Sequence, residues 1–147
     1  MEIPGIDEHL TAFEFEGVPQ PVEYLETTEI PGYPAVICDV YNFVGDDSKD
    51  LGVIKIEKGH STPRQLINEG QGTKRTVEGY ISGNGRLIVE RKSGKTELYE
   101  ISSRSLIPLS VDIEVGDIMR WQADSDSDLI AYEVCIPRYK PGRYTNL

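Results

Sequence analysis

The chain has 147 residues, enough for one domain with a normal core, and carries 25 acidic against 15 basic side chains, a formal net charge of −10 at pH 7. That field repels phosphate backbones and argues against a nucleic-acid partner; it fits a soluble protein that handles small molecules. No apolar run approaches the ~20 residues that span a bilayer, and no signal peptide opens the sequence, so a cytoplasmic protein with no membrane partner is expected.

Residues 1–34 carry little pattern. Asp7 is placed to cap a short helix with Leu10 and Phe13 on its inner face, and Pro19, Pro21, Pro31 and Pro34 break anything longer. This stretch is expected to be an N-terminal arm packed on the body. Residues 35–44 (AVICDVYNFV) are rich in β-branched and aromatic residues and predict a strand, closed by the turn cluster Gly45-Asp46-Asp47-Ser48. A second strand is predicted over 51–58. Residues 59–74 have no period and read as a loop.

Alternation returns over 76–82, where Thr76, Glu78 and Tyr80 share one face and Val77 and Ile81 the other. Asn84-Gly85 is a hairpin signal, because both residues tolerate positive φ. Strands over 86–91 and 95–101 are joined through Ser93-Gly94. An apolar stretch over 106–115 is interrupted by Pro108; strands follow over 118–122 and 129–136, with an acidic loop at 124–128. Residues 137–147 have two prolines and no helical period and read as an extended tail, either an ordered arm anchored by Tyr139 and Tyr144 or a frayed end. Many short strands with almost no helix predict an all-β sandwich or barrel over 35–136. Cys38 and Cys135 lie in apolar segments and read as buried reduced thiols.

Familiar catalytic signatures are missing. Gly94-Lys95-Thr96 has valine where a phosphate-binding loop needs its first glycine. His9 and His60 are the only histidines, and nothing in the sequence sets a nucleophile beside either. No zinc spacing is present. The Asp-rich DSDSD loop lacks the glycine and closing glutamate of a calcium loop.

Gly59, Thr62-Pro63-Arg64-Gln65 and Glu78-Gly79-Tyr80-Ile81-Ser82-Gly83-Asn84-Gly85 together resemble the first motif of the cupin superfamily. Val115-Gly116-Asp117-Ile118, followed by Trp121, resembles the second. The resemblance implies a double-stranded β-helix, the cupin jelly-roll barrel, with its site inside and a homodimer as its assembly. It also implies a metal site, from which this chain departs: Gln65, Ile67 and Ser127 stand where histidines are expected, and only Glu78 matches, with Thr76 as the alternative register. One carboxylate and an amide make a poor transition-metal site, so no cofactor is expected. A divalent metal held through a displaced His60 is the lesser alternative.

A barrel of this kind would be lined by Thr76, Glu78 and Tyr80, with Arg64 and Gln65 at the rim and Trp121 and Tyr132 as a stacking floor. Glu78, with His60 or Tyr80, is the candidate acid–base group, because burial raises a carboxyl pKa toward neutrality. The plainer alternative pairs Glu78 with Arg64, Lys74 or Arg75. The expectation is therefore a small polar ligand, a carbohydrate or an organic acid, acted on by a metal-independent isomerase or epimerase. A non-catalytic binding or sensing module is the alternative, and a metal-dependent oxygenase or lyase is third.

Overall fold

The computed structural model describes residues 9–69, 75–102 and 109–147. Among them the fold is all-β, built as two antiparallel sheets. The larger sheet runs in the order β1 (Ala12–Phe15), β2 (Val18–Ile30), β3 (Tyr33–Phe43), β4 (Asp46–Ile56), β11 (Leu129–Ile136), β6 (Arg75–Gly83) and β9 (Ser110–Ile113). The smaller runs β12 (Tyr144–Asn146), β5 (Gln65–Ile67), β10 (Ile118–Ala123), β7 (Gly85–Glu90) and β8 (Thr96–Ile101). Among the described residues no helix is long and apolar enough to cross a membrane.

The larger sheet is covered on both faces. Its inner face presents Val36, Ile54, Ile56, Leu129 and Ala131 to Ile67, Leu87, Val89, Met119 and Trp121 of the smaller sheet. Its outer face carries Tyr41, Phe43, Val53, Val77, Ile130 and Val134 beneath Phe15 and Val22 of the β1–β2 hairpin. Successive side chains on a strand point to opposite faces, so β11 sends its even-numbered residues outward and its odd-numbered ones inward.

Besides β5, which lies inside the expected loop 59–74, and β4, which begins at Asp46 within the expected turn cluster, three stretches depart from the sequence expectation. The first lies in residues 1–34, where β1 and β2 replace the patternless arm and Phe13 is a strand residue, not a helical one. Asp7 lies outside the described residues. Pro19 and Pro21 sit inside β2 because the Val22 N–H points toward β1, to the Thr11 carbonyl at 3.1 Å. The neighbouring odd positions therefore turn their missing N–H to the opposite edge, beyond the end of β3, where no ladder bond is lost.

The second lies at Gly83-Asn84-Gly85, which is a corner rather than a hairpin. It carries the chain from β6 in one sheet to β7 in the other. Gly83 has φ +88, and a Cβ there would stand 1.9 Å from the Asp128 carbonyl oxygen, so only glycine fits. The third is the tail. Its last residues form β12 on β5, and the buried Arg143 donates to the carbonyls of Pro137 and Arg75, both at 2.7 Å, and to Thr76 Oγ1 at 3.0 Å. Lys74, Leu106 and Pro108 lie outside the described residues.

Candidate functional site: a buried carboxyl pair beside a cavity

Strand register sets the site. Glu26 pairs with Val40, Val40 with Gly52, Gly52 with Glu133 and Glu133 with Glu78, so one inner-face row crosses five strands. The neighbouring row runs Asn42, Asp50, Cys135, Thr76. Residues directly opposite on adjacent strands share a face and lie within side-chain reach. Gly52 stands in the middle of the first row with no side chain to fill it.

A cavity of about 470 Å³ opens there. Glu26, Glu29, Asp50, Glu133, Cys38 and Cys135 wall it from the larger sheet, and Gln65, Tyr144 and Asn146 close it from the smaller. A Cβ on Gly52 would stand 3.0 Å from Cys38 Sγ, so this position holds the space open.

At one wall two carboxyl groups face each other. Glu78 is 0% exposed and accepts the Trp121 indole N–H on Oε1 at 2.7 Å. Its Oε2 has no donor from any other group, and its in-register neighbour within hydrogen-bond reach is Glu133. Two ionised carboxylates would both be acceptors there; one proton between them turns the clash into an O–H···O bond. Burial, and then the Glu133 charge, raise the Glu78 pKa well above the ordinary carboxyl value, against the opposing pull of the Trp121 hydrogen bond and the Arg143 charge. Glu78 therefore holds the proton, and Glu133 is the member that meets the cavity.

Glu133 is further tied down. Its Oε1 accepts the Tyr144 hydroxyl, brought across by β12, and the Cys135 thiol at 3.1 Å. Asp50, on the adjacent row, accepts the Tyr139 N–H at 3.0 Å, and burial pushes its carboxyl up to about 6. Burial also raises the Cys38 and Cys135 thiols far above their usual range, so neither is a ready thiolate.

The residues picked from the sequence separate into two groups. Thr76, Glu78 and Tyr80 do share the inner face, Trp121 anchors Glu78, and Gln65 lines the cavity, donating to Asn146 at 3.2 Å. Tyr80 is turned to the Gly83 carbonyl at 3.0 Å and lies away from the cavity wall. Tyr132 is on the outer face, its ring over Gly79 and edge-on to Phe13 at 4.9 Å. Arg64 pairs with Glu90 at 2.9 Å, and Arg75 with Glu16 and Asp112, so neither neutralises Glu78. His60 is exposed in the turn after β4, with its backbone carbonyl bonded to Ala123, and lies outside the cavity lining.

Glu133, Asp50 and Tyr144 were not foreseen. The signal for Glu133 was present in LIAYEVCI, whose period of two puts its one charged residue on the face of Leu129, Ala131 and Cys135, opposite Tyr132. Tyr144 was expected only as an anchor of the tail; its place beside Glu133 carried no signal, because only the fold brings the tail back to β11.

No protein-family model and no curated protein matches the chain by sequence. Solved structures do match. CapF, a capsular polysaccharide assembling protein from Staphylococcus aureus, superposes with a TM-score of 0.61 at 15% identity over 86% of this chain. The chain spans only 34% of CapF. A cupin-2 domain from Rhodospirillum rubrum gives 0.60 at 12% identity, over 92% of this chain and 78% of that one. PAC13 from Streptomyces, solved with uridine, gives 0.56 at 11% identity, over 85% and 89%. The fold is that of the cupins.

Many cupins carry a metal, and these residues do not fit one. Gln65 bonds Asn146, Ile67 is a core residue, and Ser127 is held in the turn by the Asn84 N–H and the Asp128 carbonyl. Among the described residues no three His, Cys, Asp or Glu side chains converge as ligands. Glu78 is instead one half of a carboxyl pair, hydrogen-bonded to the Trp121 indole.

Proposed function

We propose that this cupin-fold protein binds a small, polar, non-anionic molecule of carbohydrate type in the inter-sheet cavity and moves a proton on it without a metal. The observation that carries the reading is the in-register Glu78–Glu133 carboxyl pair, buried on the Glu78 side and open on the Glu133 side to a cavity that four carboxylates line. Glu133 faces the ligand as base or acid, Glu78 stores the proton behind it, and Tyr144 orients Glu133. Of the two ligand classes expected from the sequence, the lining favours the carbohydrate, because an organic anion would enter a field of its own sign. Two cupin-fold neighbours are described with hydroxyl-rich compounds, a capsular polysaccharide and uridine, which supports this choice.

The non-catalytic module is the second reading, favoured by the indole that occupies Glu78 Oε1. Incubating the protein in D₂O with a panel of aldoses and ketoses, watched by proton NMR, separates the two. Deuterium entering a carbon-bound position with wild type and not with Glu133→Gln supports proton transfer. Binding with no exchange gives the module, and binding of sugar acids in preference to sugars contradicts the proposal.

A further inference from the structure

The C-terminal segment forms one wall of the cavity. Tyr139, Tyr144 and Asn146 line it, and the Tyr144 hydroxyl reaches both Glu133 and the Cys135 thiol, the latter at 3.4 Å. Residues 137–147 leave the larger sheet after β11 and join the smaller one as β12, so they bridge the two sheets across the cavity. Their attachment is almost wholly polar. Of these residues only Arg143 is buried; Tyr144 packs partly against the core, and Tyr139 and Leu147 are 50% and 55% exposed. β12 pairs through three residues with β5, which itself has only three. The remaining ties are individual hydrogen bonds. Asp50 accepts the Tyr139 N–H at 3.0 Å, Asn68 donates to the Gly142 carbonyl and the Thr145 hydroxyl at 2.9 Å, and Arg64 accepts the Leu147 N–H at 2.8 Å. The Arg143 fork on Arg75 and Thr76 completes the set. Segments with few buried apolar contacts open at free energies well below that of global unfolding.

A second, independent feature points the same way. Arg138 and Arg143, both in this segment, each keep a buried Nε–H with no acceptor. The Arg143 side chain is 2% exposed, and its fork ends on two carbonyls and a hydroxyl rather than on a carboxylate. Buried donors without acceptors are rare in native folds, because each loses its hydration with nothing in return. Water supplies both missing acceptors as soon as the segment lifts. Little apolar surface holds the segment down, and holding it down leaves two donors unsatisfied.

We infer that residues 137–147 are a strap that lifts from the cavity as a unit while both sheets stay folded, and that its return sets Tyr144 on Glu133. With the strap lifted, Glu133 loses the Tyr144 hydroxyl, Cys135 loses its cover and the cavity loses the wall made by Tyr139, Tyr144 and Asn146. With the strap down, the carboxylate is oriented again. Ligand entry and completion of the site are then one movement. The strap's part in ligand entry rests on the cavity being the binding site; the movement itself does not.

The test labels the Cys135 thiol of the full chain with N-ethylmaleimide, followed by peptide mass spectrometry at several urea concentrations below the unfolding transition. Labelling is expected under native conditions, with a urea slope that is a small part of the global one, because the slope scales with the surface exposed. Arg143→Lys on the strap and Asn68→Ala on the body are each expected to raise the rate at least about fivefold, the worth of one buried hydrogen bond, and to keep the small slope. An aldose or ketose that shifts the Gly52 amide in NMR spectra is expected to slow labelling in proportion to its occupancy, since the filled cavity holds the strap down. Labelling of Cys135 only with the urea slope of global unfolding, or at a rate that neither variant changes, overturns the strap and leaves the cavity standing as a ligand site. A sugar that shifts the Gly52 amide and leaves the Cys135 rate unchanged overturns the strap's part in ligand entry. Native-state labelling that both variants speed, with no sugar shifting Gly52, supports the strap and overturns the proposed ligand instead.

Discussion

Glu133 shows how much one position decides. Its neighbour Tyr132 has the larger, more conspicuous side chain, yet a single step along a strand moves a residue through the sheet, and Tyr132 packs against Phe13 while Glu133 meets the cavity. Tyr144 holds Glu133 in place through its hydroxyl. Replacing it with phenylalanine keeps the ring in its contacts and removes one donor from Glu133, leaving it the Cys135 thiol and the Glu78 carboxyl. The expected loss is about 1–2 kcal/mol in chemical denaturation, the range for a buried hydrogen bond to a charged group. An unchanged midpoint would mean that the hydroxyl does not anchor Glu133.

At the scale of elements, strands with strict alternation were legible. The segments 76–82, 95–101 and 129–136 match β6, β8 and β11 within a residue or so, because half-buried strands write a period of two. Elements held by long-range pairing were not. β5 and β12 have three residues each and exist only because they pair with each other and β5 with β10. β2 hid behind Pro19 and Pro21, whose effect depends on which edge their missing N–H faces. The site was half legible: Glu78 and Glu133 through the inward faces of their alternating strands, Asp50 only through its register between β3 and β11. The tail is the element most open to test. Arg143 satisfies two carbonyls and a hydroxyl with one planar fork, which an ammonium group on a flexible stem does not reproduce. Arg143→Lys is predicted to cost about 2 kcal/mol and to speed proteolysis within residues 137–147, with cleavage elsewhere unchanged. Wild-type protease resistance of that segment would contradict the latch.

For the whole molecule, the buried acids set the dependence of stability on pH. Asp50 keeps its proton in the fold up to about pH 6, whereas the unfolded chain loses it near 3.8. The folded state therefore binds more protons in that window, and this stabilisation, complete below the lower value, disappears as pH rises through the upper one. Glu78 acts in the same direction, starting from its ordinary value of 4.5 and extending further upward. Glu97 acts oppositely: the Arg91 and Tyr99 hydrogen bonds hold it down to about 2, so its contribution is present above 4.5 and lost on acidification. Self-repulsion at a net charge of −10 adds to the decline at higher pH. The melting temperature is expected to peak at about pH 4–5 and fall toward pH 8, with a shallower fall in Glu78→Gln. A melting temperature that rises between those limits would contradict the assignment of protons to Asp50 and Glu78.

The most direct measurement is the titration of the Glu78 carboxyl carbon by ¹³C NMR, assigned by comparison with Glu78→Gln. With Glu78 holding the proton, its resonance is expected to keep the protonated position well above the ordinary carboxyl value of 4.5. A Glu78 carbon that titrates near 4.5 would mean that the two carboxyls hold no common proton and that the cavity wall is not an acid–base site.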